Sequence, residues 1–368
     1  MTTWITYLDD SRAGLRVAVK DLIDVEGVPT TAGSRLVAAM AEAAAADAAC
    51  LAGIRAAGAV ICGKANLHEL GCGSTGVNPH FGTPRNPFDP RLIPGGSSSG
   101  NAVALAAGEV ELAVGTDTAG SVRTPSACCG TVGLKTTWGQ IPTDGVWPLA
   151  PSLDVIGPMA RDVAGVIEGM RMLDPGWRME TPPAAVVGRV RLAGVEPGID
   201  EAIDELLAIA EVAVVKVELA GWEAAERAAW TVLLFELWRS DGPLFARDPE
   251  SLGSDVRGLI GESRKVSEEA YRAAQAQRAA WRAELAAAFT RAPVLVWPTI
   301  PYFPPRIAGA APNSRRSNLV VSFAGHPALA MPVPTPLGPP ASLQLVGPDA
   351  SEATLCATAL GLEAAALA

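Results

Sequence analysis

The sequence predicts one large α/β domain, and three observations carry that expectation. A strand-like run, an alanine-rich run and a second strand-like run follow one another between residues 15 and 62, the spacing of a βαβ unit and so of a parallel strand pair. Strand-like and helical stretches continue to the C-terminus. The chain has 368 residues, 49% of them apolar and 18% charged. That is enough for a sizeable core and argues against global disorder.

Leu15–Lys20 (LRVAVK) is a short β-branched run before a turn-rich loop, which predicts a strand. Leu36–Ala57 is rich in the best helix former and predicts a helix. Glu42, Asp47 and Arg55 interrupt it, so it reads as a soluble helix and not a membrane span. Ala59–Cys62 predicts a second strand. Proline and glycine crowd residues 78–96, the composition of a long ordered loop. A helix of small residues follows at about 98–108, then a strand at Glu109–Gly115, a turn at Thr116–Gly120 and a helix at Val163–Met172. Residues 175–188 form a connector. Strands at Val190–Val195 and Val212–Leu219 flank a helical Glu201–Ala210. Helices are expected at 222–240 and 266–290, and a strand at Val294–Trp297 leads into the proline-rich PTIPYFPPRI. The end holds an apolar helix near 317–324, a strand at Ser342–Val346 and a terminal helix from 351.

Lysine and arginine number 29 against 39 aspartates and glutamates, a net charge of −10. Such a chain is a poor partner for nucleic acid or an anionic membrane. The six cysteines, Cys50, Cys62, Cys72, Cys128, Cys129 and Cys356, show no C-x-x-C spacing, and in a chain this long they read as reduced thiols. MTTWITYLDDSRAG lacks the layout of a signal peptide, so the expected location is cytoplasmic. Only three histidines occur, His68, His80 and His326. Any histidine base must be one of them, and most histidine-rich metal sites are excluded.

Gly71-Cys72-Gly73-Ser74-Thr75-Gly76 fits G-x-G-x-x-G, but Pro79 and Gly82 oppose the helix that a dinucleotide site needs, so an ordered loop is expected. Gly96-Ser97-Ser98-Ser99-Gly100 fits G-x-S-x-G, with Ser98 as nucleophile and His326 as base, yet no strand precedes it as that elbow requires. No Walker lysine follows these glycines. Taken singly, a serine run usually caps a helix and a lysine ending a strand is usually a solvated charge.

Taken together, these segments resemble the amidase signature family of serine amidohydrolases. The stretch GGSSSGNAVALAAGEVELAVGTDTAGSVRTPSACCGTVGLK, Gly95–Lys135, is similar to the family signature nearly end to end. VAVKDLIDVEGVPTTAGS before it and PTIP…SFAGHPALAMPVP…LQLVGP after it extend the resemblance over about 15–174 and 291–368, leaving a divergent middle, 175–290, within a single domain spanning 1–368. The resemblance implies a large mixed central β-sheet covered by helices on both sides. It also implies a Ser–Ser–Lys triad in which Ser121 is the nucleophile, the Ser97 hydroxyl relays protons with a cis peptide bond at that serine, and Lys20 is the base. A serine hydroxyl needs a neighbouring base, and lysine serves only when burial or nearby positive charge keeps it neutral.

By the same resemblance, the turn Thr118-Ala119-Gly120-Ser121 supplies the N–H groups of an oxyanion hole, with alanine where glycine is commonest. Ser98, Asp117 and Arg123 support the triad, and Gly71, Cys72, Gly73, Ser74 and Thr75 border the substrate. No metal or organic cofactor is implied. The expected partner is a small-molecule amide, with no direct nucleic-acid or membrane contact, and a homodimer stays open. The expected activity is amidohydrolysis through an acyl-enzyme on Ser121. Its rivals are the glutamine-hydrolysing component of a tRNA-dependent amidotransferase, a urea- or carbamate-type hydrolase acting on allophanate or carboxybiuret, and a non-catalytic scaffold. Lys20 lies unusually near the N-terminus for the family and the chain is short, so segments that usually wall the acyl pocket are expected to be trimmed. Trp147 is expected in the core, and Trp230 and Trp238 in a pocket wall, the interior or an interface.

Overall fold

The computed structural model describes residues 2–8, 13–308, 315–336 and 338–367. Its first strands are β1 (Trp4–Tyr7) and β2 (Arg16–Lys20); after the short helices α1 (Arg35–Ala38) and α2 (Ala52–Ala56) comes β3 (Val60–Ala65). Strands β2 and β3 are parallel neighbours, as the strand-like runs around residues 36–57 predict. The long helix expected at Leu36–Ala57 does not form. Most of residues 41–47 are exposed, and the backbone there pairs with the preceding turn: Gly27 N–H donates to Ala44 O and Ala44 N–H to Val28 O. Alanines offer no apolar face to bury, so their propensity yields to this pairing. Asp47 then accepts from Glu26 N–H and pairs with Arg55.

The next elements are α3 (Ser99–Ala106), β4 (Leu112–Asp117), α4 (Arg123–Cys129), β5 (Val132–Lys135), β6 (Val155–Ala160) and α5 (Val163–Leu173). Strand β4 starts three residues later than expected, because Glu109 and Glu111 are engaged sideways by Trp4 Nε1 and Arg16 N–H. It also continues through Asp117, so the turn begins at Thr118. The middle of the chain supplies β7 (Val186–Val190), α6 (Ile199–Ile209), β8 (Ala213–Val217), α7 (Trp222–Arg247), α8 (Ser254–Ser263) and α9 (Glu268–Phe289). Strand β7 overlaps the end of the expected connector and shares only Val190 with the expected Val190–Val195, since the chain beyond it turns at Gly194. Helix α8 is not foreseen from the sequence. The last elements are β9 (Val294–Pro298), α10 (Arg315–Ala324), β10 (Ala328–Val333), β11 (Ala341–Val346) and α11 (Glu352–Leu367).

Among the described residues eleven strands form one mixed sheet, in the order β1-β3-β2-β4-β6-β5-β10-β11-β9-β7-β8. Parallel pairs lie toward both ends and a block of antiparallel pairs fills the centre. Successive residues of β9 point to opposite faces: Val294 and Val296 pack with α5, α6 and α11, whereas Leu295 and Trp297 pack with α7, α9 and α10. That two-residue alternation places helices on both faces of the sheet. Strands β2 and β4 stand side by side, so Lys20 and the chain leaving Asp117 emerge together.

Candidate active site

Lys20 ends β2 and is fully buried. Its Nζ lies 2.6 Å from Ser97 Oγ and 2.7 Å from Thr116 Oγ1, with Thr116 O at 3.5 Å. The adjacent Asp21 is occupied elsewhere, pairing with buried Lys64 Nζ at 3.0 Å and accepting from Thr31. Among the described residues Lys20 therefore has no ion-pair partner. Burial pulls its ammonium down from 10.5 to about 7, against the upward pull of Asp117 and Asp154.

Ser97 sits in the glycine-rich loop before α3, and the Gly96–Ser97 peptide is cis. A Cβ on Gly96 would meet Gly76 N at 2.7 Å and Gly73 O at 3.0 Å, so only glycine lets loops 71–76 and 94–97 touch. Ser97 O accepts from His68 N–H, and Ser98 N–H donates to Ser121 O at 3.2 Å, which ties the two serine-bearing turns together. Ser98 Oγ donates to Thr116 O at 3.5 Å.

The turn carrying Ser121 is folded around Asp117. This buried carboxylate accepts from the N–H groups of Gly120, Val122 and Arg123 and pairs with Arg123 Nε at 2.9 Å and Nη2 at 2.8 Å. Burial works against its charge, but Arg123 outweighs burial and holds it at about 2. Arg123 also reaches Gln344 Oε1, Ser322 Oγ and Asn318 O, anchoring the turn to β11 and α10. Gly120 has φ +113°, and a Cβ there would lie 2.7 Å from Asn318 Cβ, which explains glycine before Ser121. Because the Gly120 N–H is engaged by Asp117, three of the four expected oxyanion donors stay as candidates: those of Thr118, Ala119 and Ser121. Thr118 Oγ1 donates to Asp154 Oδ1 at 2.6 Å, and Asp154 also accepts from Leu149 and Ala150 N–H. Burial raises Asp154 from its ordinary value.

Ser121 opens onto a small, partly open cavity with a water-accessible volume of about 40 Å³. Its lining combines Gly71, Cys72, Gly73, Ser74 and Gly96 from two loops, Ala119 near Ser121 in sequence, and the apolar Leu149, Trp230, Leu233 and Leu259. Thr75, expected at the substrate, turns its hydroxyl to His68 Nδ1 at 3.2 Å and is not among the lining residues. Trp147 lines a smaller neighbouring cavity with Thr116, Thr118 and Asp154, and its Nε1 donates to Asp241. Trp238 packs edge-on against Phe245. Sequence reasoning missed Thr116, Asp154, Leu149, Leu233 and Leu259. A threonine one residue before Asp117 gave a positional hint, whereas leucines on helices carry no sign of a pocket.

The three histidines face carboxylates: His68 meets Asp255, His80 meets Glu69 and His326 meets Asp349. No hydrogen bond joins His326 to Ser98 among the described residues, so the Ser98–His326 elbow is not assembled. The loop Gly71–Gly76 is not followed by a helix. All six cysteines are buried thiols. Among the described residues no three of His, Cys, Asp and Glu gather in a metal-holding group, and no helix is long and apolar enough to cross a membrane.

The family described as Amidase matches residues 7–356 of this chain. The A subunit of the glutamyl-tRNA(Gln) amidotransferase of Thermus thermophilus is 36% identical over 403 residues, covering 96% of this chain and 85% of that protein. The 2-amino-5-chloromuconic acid deaminase of Comamonas testosteroni is 35% identical over 381 residues, covering 95% and 81%. A solved amidase structure superposes with a TM-score of 0.88 at 30% identity, covering 95% of this chain and 84% of that one.

Proposed function

The chain belongs to the amidase family of C–N hydrolases, and on that premise we propose that it cleaves a carboxylic amide or related C(=O)–N bond through an acyl-enzyme on Ser121. The observation that carries this reading is the buried Lys20, 2.6 Å from Ser97 and held near neutrality at pH 7. An ammonium at 10.5 would be useless as a base there, whereas one brought to about 7 is half free to accept a proton.

In the first half-reaction the Ser121 hydroxyl proton passes to Ser97, whose own proton passes to Lys20 Nζ, and Ser121 Oγ bonds the substrate carbonyl carbon. The N–H groups of Thr118, Ala119 and Ser121 are the proposed donors to the resulting oxyanion, each worth about 3–4 kcal/mol. The C–N bond then breaks, and the relayed proton returns from Lys20 through Ser97 to the leaving nitrogen. Water attacks the ester by the same relay, releasing the carboxylic acid and restoring Ser121. Asp117 and Arg123 act through the turn they brace. Asp154 steadies Thr118 and is one of two carboxylates whose charge opposes the lowering of Lys20.

This cycle calls on no metal and no organic cofactor. An acidic chain fits an enzyme acting on a small amide, with no nucleic-acid or anionic-membrane partner of its own. The test is Ser121→Ala: turnover should vanish with the far-ultraviolet spectrum and melting temperature unchanged, and full activity in that variant would remove Ser121 from the mechanism.

A further inference from the structure

The cavity over Ser121 has a lining of two unlike parts. The loops line it with glycines, Cys72 and the small hydroxyl of Ser74. The other part is apolar: Leu149 from the loop before β6, Trp230 and Leu233 of α7, and Leu259 of α8. Among the described residues no lysine, arginine, histidine, aspartate or glutamate lines it.

The charged groups nearby are used in holding the walls together. Glu69 accepts from Gly253 N–H at 2.7 Å, and His68 Nε2 meets Asp255 at 2.9 Å, so the loop before Gly71 is bound to the start of α8. The buried carboxyls of Asp154 and Asp241 are not part of the cavity lining; Asp154 lines the smaller neighbouring cavity, and burial raises both acids, Asp241 to about 8. A charged substrate group placed against Trp230, Leu233 and Leu259 would lose its water and gain no ionic partner, which disfavours it strongly.

We propose that the substrate carries an uncharged, apolar acyl group, aliphatic or aromatic, seated against Trp230, Leu233 and Leu259, and that these three side chains determine specificity; this rests on Ser121 being the acylated residue. It distinguishes this chain from its deaminase relative, whose name specifies an acid.

The experiment uses the full chain and three fluorophosphonates of matched length, ending in methyl, carboxylate or ammonium, with the labelling rate at Ser121 followed by mass spectrometry. The methyl-ended probe should react about 100-fold faster than either charged one. Hexanamide should likewise be hydrolysed about 100-fold more efficiently than glutaramic acid. Equal or faster labelling by a charged probe overturns the inference while leaving Ser121 as nucleophile. Absence of labelling by all three refutes the nucleophile assignment itself, and the inference with it. Trp230→Arg, at a half-buried position, should narrow the methyl-to-carboxylate ratio at least about tenfold. An unchanged ratio in the folded variant would remove Trp230 from the proposed wall.

Discussion

Replacing Lys20 by methionine should abolish activity and, at neutral pH, make the protein more stable. Lys20 titrates at about 7 in the folded chain and near 10.5 when exposed. Between those values the unfolded chain binds one more proton than the folded one, so the Lys20 contribution to stability rises with pH across that window and is least favourable at and below about 7. At pH 7 the accumulated penalty is about 4 kcal/mol relative to a neutral side chain, taking about 1.36 kcal/mol per pH unit. Methionine has similar length and no charge, so it escapes the penalty but forfeits the contacts to Ser97 and Thr116, at about 1 kcal/mol each. The net expectation is a gain of about 2 kcal/mol at pH 7 that becomes a loss by pH 10.5. Urea denaturation of both proteins, followed by tryptophan fluorescence across pH 7 to 10.5, measures the difference directly. The comparison cancels other titrating groups, including Lys135, which burial also lowers to about 7. A stability difference that stays constant over this range would show that Lys20 keeps its proton on folding, and the base would have to be sought elsewhere.

The same lowered value sets the rate profile: kcat/KM should fall about tenfold per unit below an apparent pKa near 7 and level off above it, whereas an unbroken rise to about pH 10 would contradict a depressed lysine. Arg123→Ala leaves Asp117 buried without its cation and should lower stability by about 3–5 kcal/mol, read as a large drop in melting temperature. His326→Gln should keep kcat within about threefold of the parent, since His326 faces Asp349 and not the serines; a folded but dead variant would reopen the Ser98 reading.

The residues proposed for the centre of the site were picked out through the family resemblance and not by local patterning, since each taken singly had a commoner structural reading. The structure shows why the combination is uncommon: a buried lysine ending a β-branched run, glycines where two loops touch at Gly96 and Gly76, and a buried Asp117–Arg123 pair bracketing a turn. Each departs from what solvent exposure or helix propensity alone would select. The strands β6 and β10 were invisible for the opposite reason. Val155–Ala160 holds Gly157 and Pro158, and Ala328–Val333 holds Pro332, residues that local propensity assigns to edges and turns. Both strands nevertheless pair on two sides within the sheet. The alanine run at 41–47 failed in the reverse sense, with strong helix propensity and nothing to bury.

The pocket wall was illegible because its chemistry matches that of a core. Leu233 and Leu259 lie on helices where apolar residues would be expected in any case, and only the presence of space beside them, over Ser121, makes them a surface for a substrate. The segment carrying Gly71 and Gly73 also lines that space, and Glu69 and His68 bind it to the first turn of α8. The helical wall and the nucleophile thus come from distant regions of the chain, joined by contacts that leave no periodic signature. A change in α7 or α8 should therefore alter which amides are cleaved without touching Lys20, Ser97 or Ser121. On the proposed assignments, substrate choice and chemistry are separable because different parts of the sequence build them.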